Sequence, residues 1–203
     1  MNTANQVGIY NMALGQCGVS RFINATTDQT TEARVCNVFW ENVRDQVLGR
    51  IDWLFARRYK ALELTTLTST VWKYVYAYPS DCLAAREIIS SQDLFRRRHQ
   101  DVAPFETAEN EVGGGLVIPT NERDAVLVYT ARITTYTLWS PAFVNCLSLL
   151  LGSKIAGPLA SNPKYADQLG RAYEAALLDA AASSLNEQHA QPAAESELIL
   201  TRG

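Results

Sequence analysis

The residues best suited to chemistry are few and scattered. His99 and His189 are the only imidazoles in the 203-residue chain. His99 closes a cationic run, Arg96-Arg97-Arg98-His99, and His189 sits in a polar stretch near the C-terminus. Neither has an obvious nucleophile or ligand set beside it, so a Ser/His/Asp or Cys/His centre starts poorly. Carboxylates are plentiful, and a glycosidase needs only two of them in suitable geometry. No pair among the 21 Asp and Glu residues stands out by spacing. The stretch Glu111-Val112-Gly113-Gly114-Gly115-Leu116 lacks a Gly-Lys-Ser/Thr ending and precedes a strand-like segment. It reads as a hairpin turn rather than a phosphate cradle, which needs a helix N-terminus behind it.

Four cysteines, Cys17, Cys36, Cys82 and Cys146, lie far apart with no Cys-x-x-Cys pair. Zinc sites need closer ligands, and each cysteine falls in an apolar-patterned segment, so reduced and buried thiols are expected. No catalytic residue, metal or cofactor is assigned. The guanidinium cluster Arg96, Arg97, Arg98 suits phosphates or an acidic partner, against the plainer reading of a solvated face. One further feature is unusual. Leu198, Ile199 and Leu200 stand together almost at the C-terminus, beyond the polar stretch "NEQHAQPAAESE".

The elements that must position these residues follow from composition and period. With 47% hydrophobic and 19% charged residues, the chain fits one globular domain with a core. A net charge of −3 does not advertise nucleic-acid binding. No apolar run is expected to approach the roughly 18 residues that span a bilayer, since "VNCLSLLLGSKIAG" is short and broken by glycine. "MNTANQVGIY" lacks a basic stretch followed by an apolar one, so no secretory signal is expected and assembly in the cytoplasm is.

A short helix is expected at the start, capped by Thr3 with Gln6 three residues on, and carrying Val7, Tyr10 and Leu14 inward. A long helix is expected through "TEARVCNVFWENVRDQVLGRIDWLFARRYK", with Cys36, Phe39, Val43, Val47, Ile51 and Leu54 on its apolar face. Trp53 and Phe55 should anchor the junction to the next region. From about 62 to 139 the period changes; "LELTTLTSTVWKYVYAYP" suits strands, and "AREII", "GLVIPT" and "AVLVYTARI" read as further short strands. Helix returns at Ser140-Pro141, stops at Gly157-Pro158, and starts again at Asn162-Pro163. The expected architecture is mainly α: an antiparallel helical bundle (1–61 and 140–188) with a small β-rich insertion. Residues 1–188 form a single domain, and 189–203 an extended C-terminal arm.

The order of these signals resembles the head-to-tail adaptor of short-tailed bacteriophages, also called tail tubular protein A or tail accessory factor. The residues that carry the likeness are Glu32-Ala33, Cys36, Trp40, Arg44-Asp45, Leu48, Trp53, Phe55-Ala56 and Leu62, then Tyr78-Pro79, Asp81-Cys82 and Tyr173. They span nearly the whole chain, and they are packing motifs without catalytic content. The resemblance implies a structural virion protein of the tail or neck. It would form a ring, commonly dodecameric, beneath the portal protein and extend the DNA channel. Its implied partners are the portal, tail tube, nozzle or needle proteins, and neighbouring adaptor subunits, with DNA met only as channel content and no membrane. The implied portal-binding arm centres on Leu198, Ile199, Leu200, Thr201 and Arg202, added as a strand or seated in a groove. Arg96, Arg97 and Arg98 would face tail components or a neighbouring subunit. A cell-wall hydrolase is the alternative the same resemblance allows.

Overall fold

A computed structural model of the chain describes residues 5–90, 103–110, 114–160 and 163–187. The first helix, α1, runs Gln6–Gln16. Its cap is Asn5, whose side-chain Oδ1 accepts the Gly8 N–H at 2.7 Å, not the expected Thr3, which lies outside the described residues. Ile9, Tyr10, Ala13 and Leu14 face inward. The chain then reverses at Gly18, whose φ of 78° is the left-handed conformation glycine adopts without strain.

Helix α2 runs Thr31–Arg50, capped by the Thr30 hydroxyl accepting from the Ala33 N–H. Ala33, Cys36, Trp40, Val43, Val47 and Leu48 form its buried stripe. The expected continuation to about residue 60 does not occur. Three hydrogen bonds from two side chains account for the stop. The Trp53 indole N–H donates to the Val47 carbonyl at 2.8 Å, and the Arg86 guanidinium reaches the Gly49 and Ile51 carbonyls, each at 2.9 Å. The last carbonyls are thus satisfied by side chains instead of by another helical turn. A 3-10 turn at Leu54–Ala56 follows, and Arg57–Ala61 becomes the first strand, β1.

The expected mainly α bundle is therefore corrected. Over the described residues the fold is an α+β mix, 48% helix and 22% strand, with four α-helices and two three-stranded antiparallel sheets. In the first sheet the order is β1, β6 (Ala125–Ala131), β3 (Cys82–Ser90). In the second it is β2 (Tyr74–Ala77), β5 (Leu116–Thr120), β4 (Ala108–Glu109). Every residue of β6 is buried, so this strand belongs to the core of the molecule and not to an appended insertion. Strand pairing between segments distant in sequence leaves no helical-type signature to read.

Helices α3 (Pro141–Ala160) and α4 (Pro163–Glu187) complete the body. Ser140 caps α3, its hydroxyl accepting the Phe143 N–H at 3.2 Å. Phe143, Leu147, Leu150, Leu151 and Ile155 are buried as their spacing predicts. Pro158 lies inside the helix rather than ending it. Helix α3 is long and apolar enough to span a bilayer, against the expectation that no run is. Here it is the central helix, packed by α1, α2 and α4. On α4, Leu169, Tyr173, Leu177 and Ala180 close over it.

Candidate interaction site

Several of the motif residues singled out in the sequence fasten α2, α3 and the first sheet to one another. Trp53 is 3% exposed and meets Phe143 edge-on at 5.2 Å, with Phe55 at 5.9 Å. Arg44, 8% exposed, donates to one oxygen of Asp45, and Arg132 donates to the other, both at 2.8 Å. One carboxylate thereby pins α2 to the segment that follows β6. At the Tyr78–Cys82 turn between the sheets, the Asp81 carboxylate accepts the Tyr129 hydroxyl and its backbone carbonyl accepts the Arg132 N–H. These are fastenings, and the chemistry at them is that of a fixed frame.

Proton affinities at the buried groups point the same way. Burial raises all four thiols, Cys36 to about 12 and Cys146 to about 11, with Cys17 and Cys82 raised as well. A thiol held protonated is a poor nucleophile and a poor metal ligand. Burial also raises Tyr10 and Tyr78, and takes Tyr129 and Tyr173 to about 12, the Asp81 charge adding to the effect at Tyr129. The described residues contain no group of three His, Cys, Asp or Glu side chains placed to hold a metal ion.

These tyrosines set an alkaline limit. Their proton affinity is higher folded than unfolded, so their contribution is fully present below pH 10 and is lost as pH rises toward about 12. The expected result is cooperative unfolding within that window, with ionisation of Tyr129 and Tyr173, followed by their assigned ring resonances, coinciding with loss of helical circular dichroism. Ionisation of these two well before any structural change, at the pH of a free tyrosine, would show their hydroxyls to be open to solvent.

The most distinctive surface among the described residues is that of β1. Strand β1 carries Arg57, Arg58, Tyr59, Lys60 and Ala61, all but Arg57 exposed, and Tyr59 is 57% exposed. Among the described residues it lies at the edge of its sheet and pairs with β6 alone. Beside it, a groove of about 500 Å³ is lined by Trp53, Phe55, Pro141, Ala180 and Ser184. The end of α4 reaches this corner, where the Ser184 hydroxyl donates to the Asp52 carbonyl at 3.2 Å and the Asp52 carboxylate holds Arg57. Sequence reasoning missed β1 by placing it in a helix; the available signal was the loss of apolar spacing after Leu54.

Neither group of expected contact residues can be set against this surface. Arg96, Arg97 and Arg98, with His99, lie outside the described residues, as do His189 and the whole stretch Leu198, Ile199, Leu200, Thr201 and Arg202. No protein-family model matches the chain, and no curated protein matches it.

Proposed function

We propose that this chain is a structural assembly protein, the head-to-tail adaptor of a short-tailed phage. It forms a ring under the portal, extends the DNA channel and offers the platform on which tail proteins attach. The observation that supports this reading is the placement of the residues on which the resemblance rests. Cys36, Trp40, Leu48, Trp53, Ala56 and Tyr173 are buried, and Arg44-Asp45 and Asp81 are engaged in the bonds described above. A motif set that is spent on packing suits a protein whose work is to present surfaces, and burial keeps its thiols from nucleophilic use.

In this reading Leu198–Arg202 make the portal contact, and Arg96, Arg97 and Arg98 meet tail components or the next subunit. Weak single contacts suffice, because a ring presents many of them together. The test is binding to purified portal rings by full-length protein and by a version ending at Glu187. Native mass spectrometry or electron microscopy scores the rings. Full-length protein is expected to decorate the portal, and the shortened one to lose decoration by about a hundredfold or more in affinity. Equal binding by both removes the role of the arm. Binding by neither removes the adaptor reading and makes cell-wall hydrolysis the next assay.

A further inference from the structure

The ladder between β1 and β6 fixes which way the backbone of β1 points. Arg57 to Ala61 register antiparallel with Thr130 to Val126, and the next residue, Leu62, donates its N–H to the Ala125 carbonyl. Antiparallel pairs alternate between bonded and unbonded. Lys60 and Arg58 therefore turn their backbone groups to β6, while Arg57, Tyr59 and Ala61 turn theirs to the open side. The Arg57 N–H is taken by the Leu54 carbonyl, and its carbonyl by the Arg58 guanidinium, which also reaches the Phe55 carbonyl. Tyr59 and Ala61 are left, among the described residues, with an outward N–H and an outward C=O apiece. A strand exposed on both faces, with an open edge, is a template for another strand.

Charge chooses the occupant. A second β1 laid antiparallel against the first and paired at Tyr59 would set each Arg58 opposite the other copy's Lys60, and like charges across a ladder repel. The edge selects an acidic strand. The chain supplies one sequence of that kind beyond α4, Glu195-Ser196-Glu197-Leu198-Ile199-Leu200. Its glutamates are two residues apart, as are Arg58 and Lys60, so in extended form each pair lies on one face of its strand. The same alternation sends Leu198 and Leu200 to the face of Tyr59 and Ala61. Reach is ample. The bonds from Ser184 to Asp52 and from Asp52 to Arg57 put the last turn of α4 beside the first residue of β1. The seven residues 188–194 span up to about 23 Å at 3.3 Å each.

We propose that the open edge of β1 receives residues 195–200 of the same chain as an added strand. The inference rests on the reading of 189–203 as an arm that attaches by strand addition, and it is independent of whether the portal is that arm's later destination. Seating the arm at home keeps its apolar residues from other edges until a partner competes for them.

Amide hydrogen exchange on the full-length protein tests this residue by residue. The Tyr59 and Ala61 amides are expected to exchange at least about tenfold slower than open amides, at a rate unchanged by dilution. In a full-length variant carrying Glu195→Lys, Glu197→Lys and Leu198→Asp, both should return to the open rate, while Arg58 and Lys60, bonded to β6, stay protected and report an intact sheet. Three results overturn the proposal. Open exchange at Tyr59 and Ala61 in the unaltered protein leaves the edge empty, protection that the triple variant does not change assigns it to a different occupant, and protection lost on dilution assigns it to another copy of the chain. Portal decoration is scored separately, so either idea can fail alone.

Discussion

Replacing Trp139 by alanine is expected to lower the unfolding free energy by about 3–5 kcal/mol, the range for a buried aromatic cut to a methyl group. The ring is 2% exposed and sits where α2, α3 and the loop after β6 meet. Tyr136 and Phe143 pack edge-on to it at 4.8 and 5.0 Å, and Trp40 of α2 lies tilted at 6.1 Å. Its indole N–H donates to the Ile133 carbonyl at 3.2 Å, closing the loop that leads from the sheet into α3. Truncation opens a cavity, removes three aromatic contacts and strips a buried carbonyl of its donor. A domain of this kind is stable by about 5–15 kcal/mol in all, so the loss is a large fraction. Urea unfolding checks it, with Trp139→Phe as the companion. Phenylalanine keeps much of the packing and should cost roughly half as much or less. A cost below about 1 kcal/mol for alanine would mean that the surrounding rings close the gap, and that this joint is softer than its contacts imply.

Where one periodicity governed a segment, the sequence was readable. The stripe Phe143, Leu147, Leu150, Leu151, Ile155 lies buried where spacing put it, and Ser140 caps the helix as its position before Pro141 predicted. Cys36, Val43 and Val47 likewise face the core. The reading failed where an interaction from far along the chain decides the local state. Arg57 to Ala61 follow a helix with helix-compatible residues, and only their pairing with Thr130 to Val126 makes them a strand. The arginine that helps to end α2 lies 37 residues beyond Gly49 in sequence, and no local pattern announces it. The same holds for the surface. Arg58 and Lys60 become a candidate contact because, among the described residues, β1 is paired on one side only, and that is a property of topology, not of the residues themselves. The sheets were foreseen as an insertion for a related reason. The strand segments were recognised one by one, but the full burial of β6 between β1 and β3 depends on which strand takes the centre.

Arg86 is where that long-range control can be removed by a single change. Its Nη2 donates to the carbonyls of Gly49 and Ile51, and its Nε donates to the Thr130 hydroxyl of β6 at 3.0 Å. One planar group thus ties the end of α2 to the first sheet. With Arg86→Ala, two carbonyls at a helix end and a buried threonine hydroxyl lose a charged donor, each such bond being worth about 1.5–3 kcal/mol. Water can reach part of this half-buried corner, so the expected net loss is about 3 kcal/mol rather than the full sum. Arg86→Lys is expected to recover less than half of it, since a single ammonium cannot reproduce a fork that serves two carbonyls and a hydroxyl. The loss should also be localised. Exchange is expected to speed most at the last turn of α2 and along β1, and least within α3, whose core contacts do not involve Arg86. Uniform acceleration across all helices would mean that the arginine supports the body as a whole. Selective acceleration would mean that it sets the point at which helix gives way to strand, and with it the position of the open edge.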